Sequence, residues 1–173
     1  MAVIRVIEIG DVPKKYMDVL TQELNRRGYI HKFVVDRKVP LPQSAYDKYR
    51  GQYDAAALLK LARDPKVLLI TNADLYSGNL NFVFGMTNGK GPGIVSTARL
   101  DPAFYGNQMN FGVTSERLVK ESVHEVGHMF GLKNCEDKRC AMAVAQHFSD
   151  VDEKGLDFCK QCQVMLASDG TRI

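Results

Sequence analysis

Little in this chain marks it for a membrane or for nucleic acid. No apolar run approaches the roughly 20 residues needed to cross a bilayer. The opening Met1-Ala2-Val3-Ile4-Arg5-Val6 lacks the charged, apolar and small-residue succession of an export signal. The formal charge is only +3 over 173 residues, and no lysine–arginine run is interleaved with aromatics, which argues against a nucleic-acid footprint. Internal repeats, low-complexity tracts and linkers are also missing, so a single domain is expected; with 45% hydrophobic residues it can bury a core of its own. The expectation is a soluble, cytoplasmic monomer.

Cysteine is scarce, and its placing is the more informative for that. Cys135 and Cys140 are separated by four residues, Cys159 and Cys162 by two. Two loops with two thiolates each can close a tetrahedral zinc site that has no open position, a structural arrangement. The alternatives are disulfides, which a reducing compartment disfavours, and free thiols in the core.

Histidine is equally sparse: His31, His124, His128 and His147. His124 and His128 lie one helical turn apart, so they project from one face and can share a zinc ion. Glu125, one position along, is placed to act as general base on an attacking water. Residues 115–130 read as the helix that carries them, with Thr114 or Ser115 as N-cap and Leu118, Val119, Val123, Val126 and Phe130 as the buried stripe. Gly131 offers a left-handed position where the helix ends and the chain turns back, which makes Asn134 the next residue in reach of the metal. An amide oxygen is a poor zinc donor, and exchanging an imidazole for it costs about 2–4 kcal/mol, roughly two or three decades of affinity. His147, Glu136 and Asp137 are weaker candidates, read as surface and loop residues. The bare pattern of two histidines around a glutamate also occurs on ordinary amphipathic helices, where it is purely structural.

Upstream, residues 3–9 are apolar and β-branched, a buried strand, followed by a helix over 13–27 whose apolar face is Tyr16, Val19, Leu20 and Leu24. Gly28 closes that helix before a strand over 30–35. Residues 39–42 form a proline loop, 52–62 an alanine- and leucine-rich helix, and 67–71 a third strand. Strands over 81–86 and 93–97 are joined by the glycine-rich turn Asn88-Gly89-Lys90-Gly91-Pro92. That turn opens no helix, so it does not read as a phosphate loop. The fold class is α/β. Residues 1–113 alternate strands and helices, and 114–173 hold the histidine helix and a loop-rich tail that a metal would staple.

Taken together, His124, Glu125, His128, Gly131, Cys135, Cys140, Met142, Cys159 and Cys162 resemble the archaemetzincins, a branch of the metzincin zinc proteases whose HExxHxxGxxH helix runs straight into CxxxxCxM and a later CxxC. Asp74-Leu75-Tyr76, Asn81 to Gly85, Ser96 and Arg99-Leu100 extend the resemblance back to about Lys66. Asn134 departs from it, standing at the position of the third histidine. The resemblance implies one compact metzincin-like domain, a mixed twisted sheet with flanking helices. It implies an aminopeptidase-like zinc peptidase acting on peptide or protein substrates, with a catalytic zinc at His124 and His128; Asn134, a weak or absent third donor, makes that zinc labile. A separate structural zinc sits on the four cysteines, and Met142 is the methionine beneath the histidines. By the same resemblance, 81–85 is the edge strand that pairs with an extended substrate. The alternative is a zinc-stapled peptide-binding protein that has lost turnover.

Overall fold

The computed structural model describes residues 3–27 and 31–168. The first apolar run forms strand β1 (Val3–Ile9), and helix α1 (Lys14–Arg26) returns the chain to the parallel strand β2 (Lys32–Val39). Gly28 and Ile30, placed in sequence at the end of that helix and the start of that strand, lie outside the described residues. β2 runs on to Val39, past the expected end at 35, and α1 buries Tyr16, Met17, Leu20 and Leu24, with Met17 taking the place expected for Val19.

The expected helix over 52–62 is largely replaced. Tyr46–Asp47 (β3) and Gln52–Asp54 (β4) pair in a small sheet, and only Ala55–Leu59 (α2) is α-helical. The cause is tertiary and local at once. The buried Gln52 amide donates to Asp74 Oδ2 at 3.1 Å and to the Asn81 carbonyl at 2.9 Å, while Asp54 caps Ala56 N–H and so starts the helix late.

β5 (Val67–Thr71) is buried along its whole length, as an interior strand of a sheet covered on both faces must be. β6 (Leu75–Tyr76) joins β4, and the hairpin of β7 (Gly85–Thr87) and β8 (Gly93–Ser96) completes a five-stranded sheet in the order β2-β1-β5-β8-β7. All its pairs are parallel except β7–β8, so the sheet is mixed and β7 is an edge. The 81–86 strand is shorter than expected: ahead of Gly85, Val83 makes only an isolated bridge to Leu75, and the Phe84 carbonyl accepts Ser96 N–H.

Alternation along the strands sorts the core into two layers. Ile4, Val6, Leu68, Ile70 and Val95 face α1 and α3 (Phe111–Met129); Ile7, Ile9, Leu69 and Ile94 face α2. α3 starts a turn earlier than the sequence suggests because Asn110, not Thr114 or Ser115, caps it, its Oδ1 accepting Val113 N–H at 3.1 Å. The tail also carries more regular structure than a loop, in α4 (Phe148–Glu153) and α5 (Lys160–Ser168).

Candidate active site

The last turn of α3 brings His124 and His128 together with their Nε2 atoms 3.0 Å apart. Each ring is held from behind: His124 Nδ1 lies 2.9 Å from the Ala141 carbonyl and His128 Nδ1 2.7 Å from the Leu132 carbonyl. A carbonyl can only accept, so both Nδ1 carry the proton and both Nε2 present a lone pair to the same point. Two lone pairs at that distance repel unless a cation lies between them. Tetrahedral zinc with bonds of roughly 2.0–2.1 Å separates two nitrogens by about 3.3–3.4 Å, so a slight widening admits it. Burial pushes the His124 pKa down to about 3, with Lys154 and His128 adding to the effect. The neutral ring is the form that ligates.

The chain's return at Gly131 is what supplies the Leu132 carbonyl. Gly131 sits at φ +91°, its N–H donates to His128 O and Leu132 N–H donates to Gly127 O, the paired bonds of a Schellman motif. Two residues on, Asn134 emerges exposed in the wall of the same cleft, a cavity of about 910 Å³ that also takes in Phe82, Phe84 and His147. Among the described residues, no third histidine, cysteine or carboxylate gathers with the histidine pair, so His147, Glu136 and Asp137 do not complete it.

Glu125 also lines the cleft, yet its side chain is buried, and that burial raises its pKa to about 8 against the lowering effect of a hydrogen bond from Thr87. The Thr87 hydroxyl is 2.6 Å from Glu125 Oε2. Met142 is fully buried against Gly127, and a Cβ added at 127 would run into the Met142 sulfur. The glycine inside the helix is thus the condition for the methionine's close approach, a role the sequence reading left unassigned. It also left unassigned the buried pair Glu121–Lys154, with Oε1 and Nζ 2.6 Å apart. The same holds for the double hydrogen bond of Arg117 to Asp152, with both contacts at 2.7 Å. These contacts fasten α3 to α4 and the turn after it.

The cleft rim has its own support. Arg99 makes two hydrogen bonds to Asp74, at 2.7 and 2.8 Å, and its guanidinium lies 4.3 Å from the Phe82 ring centre and 4.6 Å from that of Phe104. Asp74 and Arg99, noted in sequence without a task, together fix the segment that precedes β7.

The four cysteines converge behind the site. Their sulfurs all lie within 4.8 Å of one another, and Cys135–Cys159 and Cys140–Cys162 are each 3.8 Å apart. All four are free thiols. A disulfide needs about 2.05 Å, whereas zinc–sulfur bonds of roughly 2.3 Å set tetrahedral edges near 3.8 Å. Cys140 Sγ accepts N–H bonds from Met142 and Cys159, and a backbone N–H at Cys162 draws the Cys159 thiol below its ordinary pKa, whereas burial raises those of Cys135 and Cys162, so thiolate at all four positions needs a cation among them.

The profile of peptidase family M54 matches residues 5–168. The archaemetzincin of Pyrococcus furiosus is 38% identical over 171 residues, covering 91% of this chain and 88% of the relative. A crystal structure of archaemetzincin from Archaeoglobus fulgidus is similar with a TM-score of 0.83 and 30% identity, over 98% of this chain and 99% of that one. A zinc-dependent peptidase from Methanocorpusculum labreanum is similar with a TM-score of 0.82 and 29% identity, over 95% and 100%.

Proposed function

This chain belongs to peptidase family M54, the archaemetzincins, and on that premise we propose that it is a zinc metallopeptidase working in the cleft at the end of α3. The observation that carries the reading is the convergence of two Nε2 lone pairs, each ring fixed by a carbonyl behind it, beside a buried glutamate. His124 and His128 hold the catalytic ion, and Asn134 supplies a weak third donor from its amide oxygen. When bound, zinc acidifies water, polarises the scissile carbonyl and favours the carboxylate form of Glu125. Glu125 takes the proton from the attacking water and returns it to the leaving amine. Thr87 holds one carboxylate oxygen throughout. Met142 forms the floor, and Cys135, Cys140, Cys159 and Cys162 hold a second, structural zinc.

The substrate lies extended along the outer edge of β7, the side of that strand with no partner in the sheet, while the preceding 81–84 segment lines the same cleft. Cleavage is aminopeptidase-like, releasing residues from a free N-terminus. Weak ligation by Asn134 makes the catalytic ion labile and the thiolate-bound ion firm.

Hydrolysis of free and N-acetylated peptides with zinc in excess tests these statements together. Turnover of the free peptide, its loss in Glu125→Ala and resistance of the acetylated peptide are the expected results. An unchanged rate in Glu125→Ala overturns the mechanism, and equal cleavage of both peptides overturns the aminopeptidase assignment. Elemental analysis before and after dialysis is expected to show that one of two ions is lost.

A further inference from the structure

We propose that Thr87 is a positioning residue that aims the Glu125 carboxylate and links its setting to the strand on which the substrate lies. The inference rests on the reading of Glu125 as the general base. Thr87 is the last residue of β7, paired with Gly93 across the hairpin, and its hydroxyl reaches back from the sheet edge to α3. There it lies 2.6 Å from Glu125 Oε2 and 3.3 Å from the Glu125 carbonyl. A hydroxyl has a single proton, and the short contact to the carboxylate is the one that takes it.

The hairpin is shaped to allow this approach. A Cβ added at Gly85 would stand 2.8 Å from Glu125 Oε1, and one at Gly93 would stand 3.3 Å from Glu125 Cβ. Both strands therefore meet the glutamate with bare backbone, and Thr87 is the side chain of β7 that bonds to it. With Oε2 held by the hydroxyl, Oε1 lies against the backbone of Gly85, an approach that a side chain at 85 would block. Oε2 is thus the anchored oxygen, which leaves Oε1 to exchange a proton with water.

β7 is also the edge strand of the sheet. A peptide pairing with its free side orders the strand that carries Thr87, so docking of the substrate and aim of the base share one element. A glutamate side chain has three rotatable bonds, and a group displaced by about 1 Å loses on the order of a hundredfold in rate.

The test compares Thr87→Val, which keeps the shape and removes the hydroxyl, with Thr87→Ser, which keeps the hydroxyl. Wild type and both variants are loaded with zinc as full-length protein. Thr87→Val is expected to lower kcat about 10- to 100-fold, as loss of a supporting hydrogen bond does at such sites. KM stays within about twofold and zinc content is unchanged, because the hydroxyl touches neither ligands nor substrate. Thr87→Ser restores kcat to within about threefold of wild type, an outcome a purely structural role would not give. A Thr87→Val enzyme with the wild-type kcat, or a Thr87→Ser enzyme as slow as Thr87→Val, overturns the proposal. Crystal structures of the three proteins supply a readout independent of turnover. A Glu125 carboxylate swung away in Thr87→Val and in place in Thr87→Ser supports the link even if Glu125→Gln shows the base assignment itself to be wrong. A carboxylate that stays put in all three sinks it.

Discussion

Asn134→His tests the coupling between ligand chemistry and activity most directly. Residue 134 is exposed in the cleft wall, so the larger ring has no core to disturb and fold stability is expected to stay level. A complete protein zinc site binds with about 10–16 kcal/mol, so each of four donors carries roughly 2.5–4, of which a neutral amide retains little. Restoring an imidazole therefore gains about 2–4 kcal/mol, a fall in Kd of roughly 30- to 1000-fold. The Schellman turn and the Leu132–His128 contact precede residue 134 and are untouched by its identity, which keeps the two existing rings in place. Competition against a chromophoric chelator, with the thiolate site already filled, measures the gain. Peptide hydrolysis at limiting zinc is expected to rise in parallel, and at saturating zinc to change less. An unaltered Kd refutes the placement of residue 134 at the ion. So does an equal gain in a His124→Ala background, which would put the new imidazole's metal elsewhere.

Other perturbations read different parts of the arrangement. Cys159→Ser is expected to remove the ion that survives dialysis and to open the 135–168 tail to limited proteolysis; unchanged metal content would contradict the four-thiolate site. Gly127→Ala drives a methyl group into the Met142 sulfur, an overpacking cost of about 1–3 kcal/mol. That corresponds to a Tm lower by roughly 2–12 °C, and an unchanged Tm would show that the methionine moves freely. Lys154→Met leaves Glu121 as an uncompensated buried charge and is expected to cost about 3–5 kcal/mol in urea denaturation. Adding Glu121→Met should recover most of that loss, and equal instability of single and double variants would refute the pairing.

What the sequence discloses depends on the distance over which each constraint acts. The histidine pair and the two cysteine pairs were legible because chelation fixes their spacing within a few residues, and β5 was legible because burial on both faces leaves an unbroken apolar run. The helix read over 52–62 failed for the opposite reason. Alanine and leucine set its local preference, but Gln52 answers to Asp74 and Asn81, more than 20 residues away. The charges of α3 were hidden in the same manner, since Arg117 finds Asp152 35 residues later and Glu121 finds Lys154. Taken alone, each reads as a solvated residue on a helix surface.

Gly127 shows that some of the hidden information was nevertheless present as a local contradiction. Glycine in a helix interior costs about 1 kcal/mol relative to alanine, and a helix that holds His124 and His128 in fixed positions gains nothing from that loss of stiffness. The position makes sense only if another group needs the space, and the buried sulfur of Met142 occupies it. Gly85 and Gly93 repeat the argument in strands, where glycine also weakens the element: the space each leaves lies against Glu125. Three residues that violate the propensity of their own elements thus make room, one for Met142 and two for Glu125. A glycine at odds with its own element therefore marks where another group needs space, and Gly85 and Gly93 mark where the hairpin meets α3.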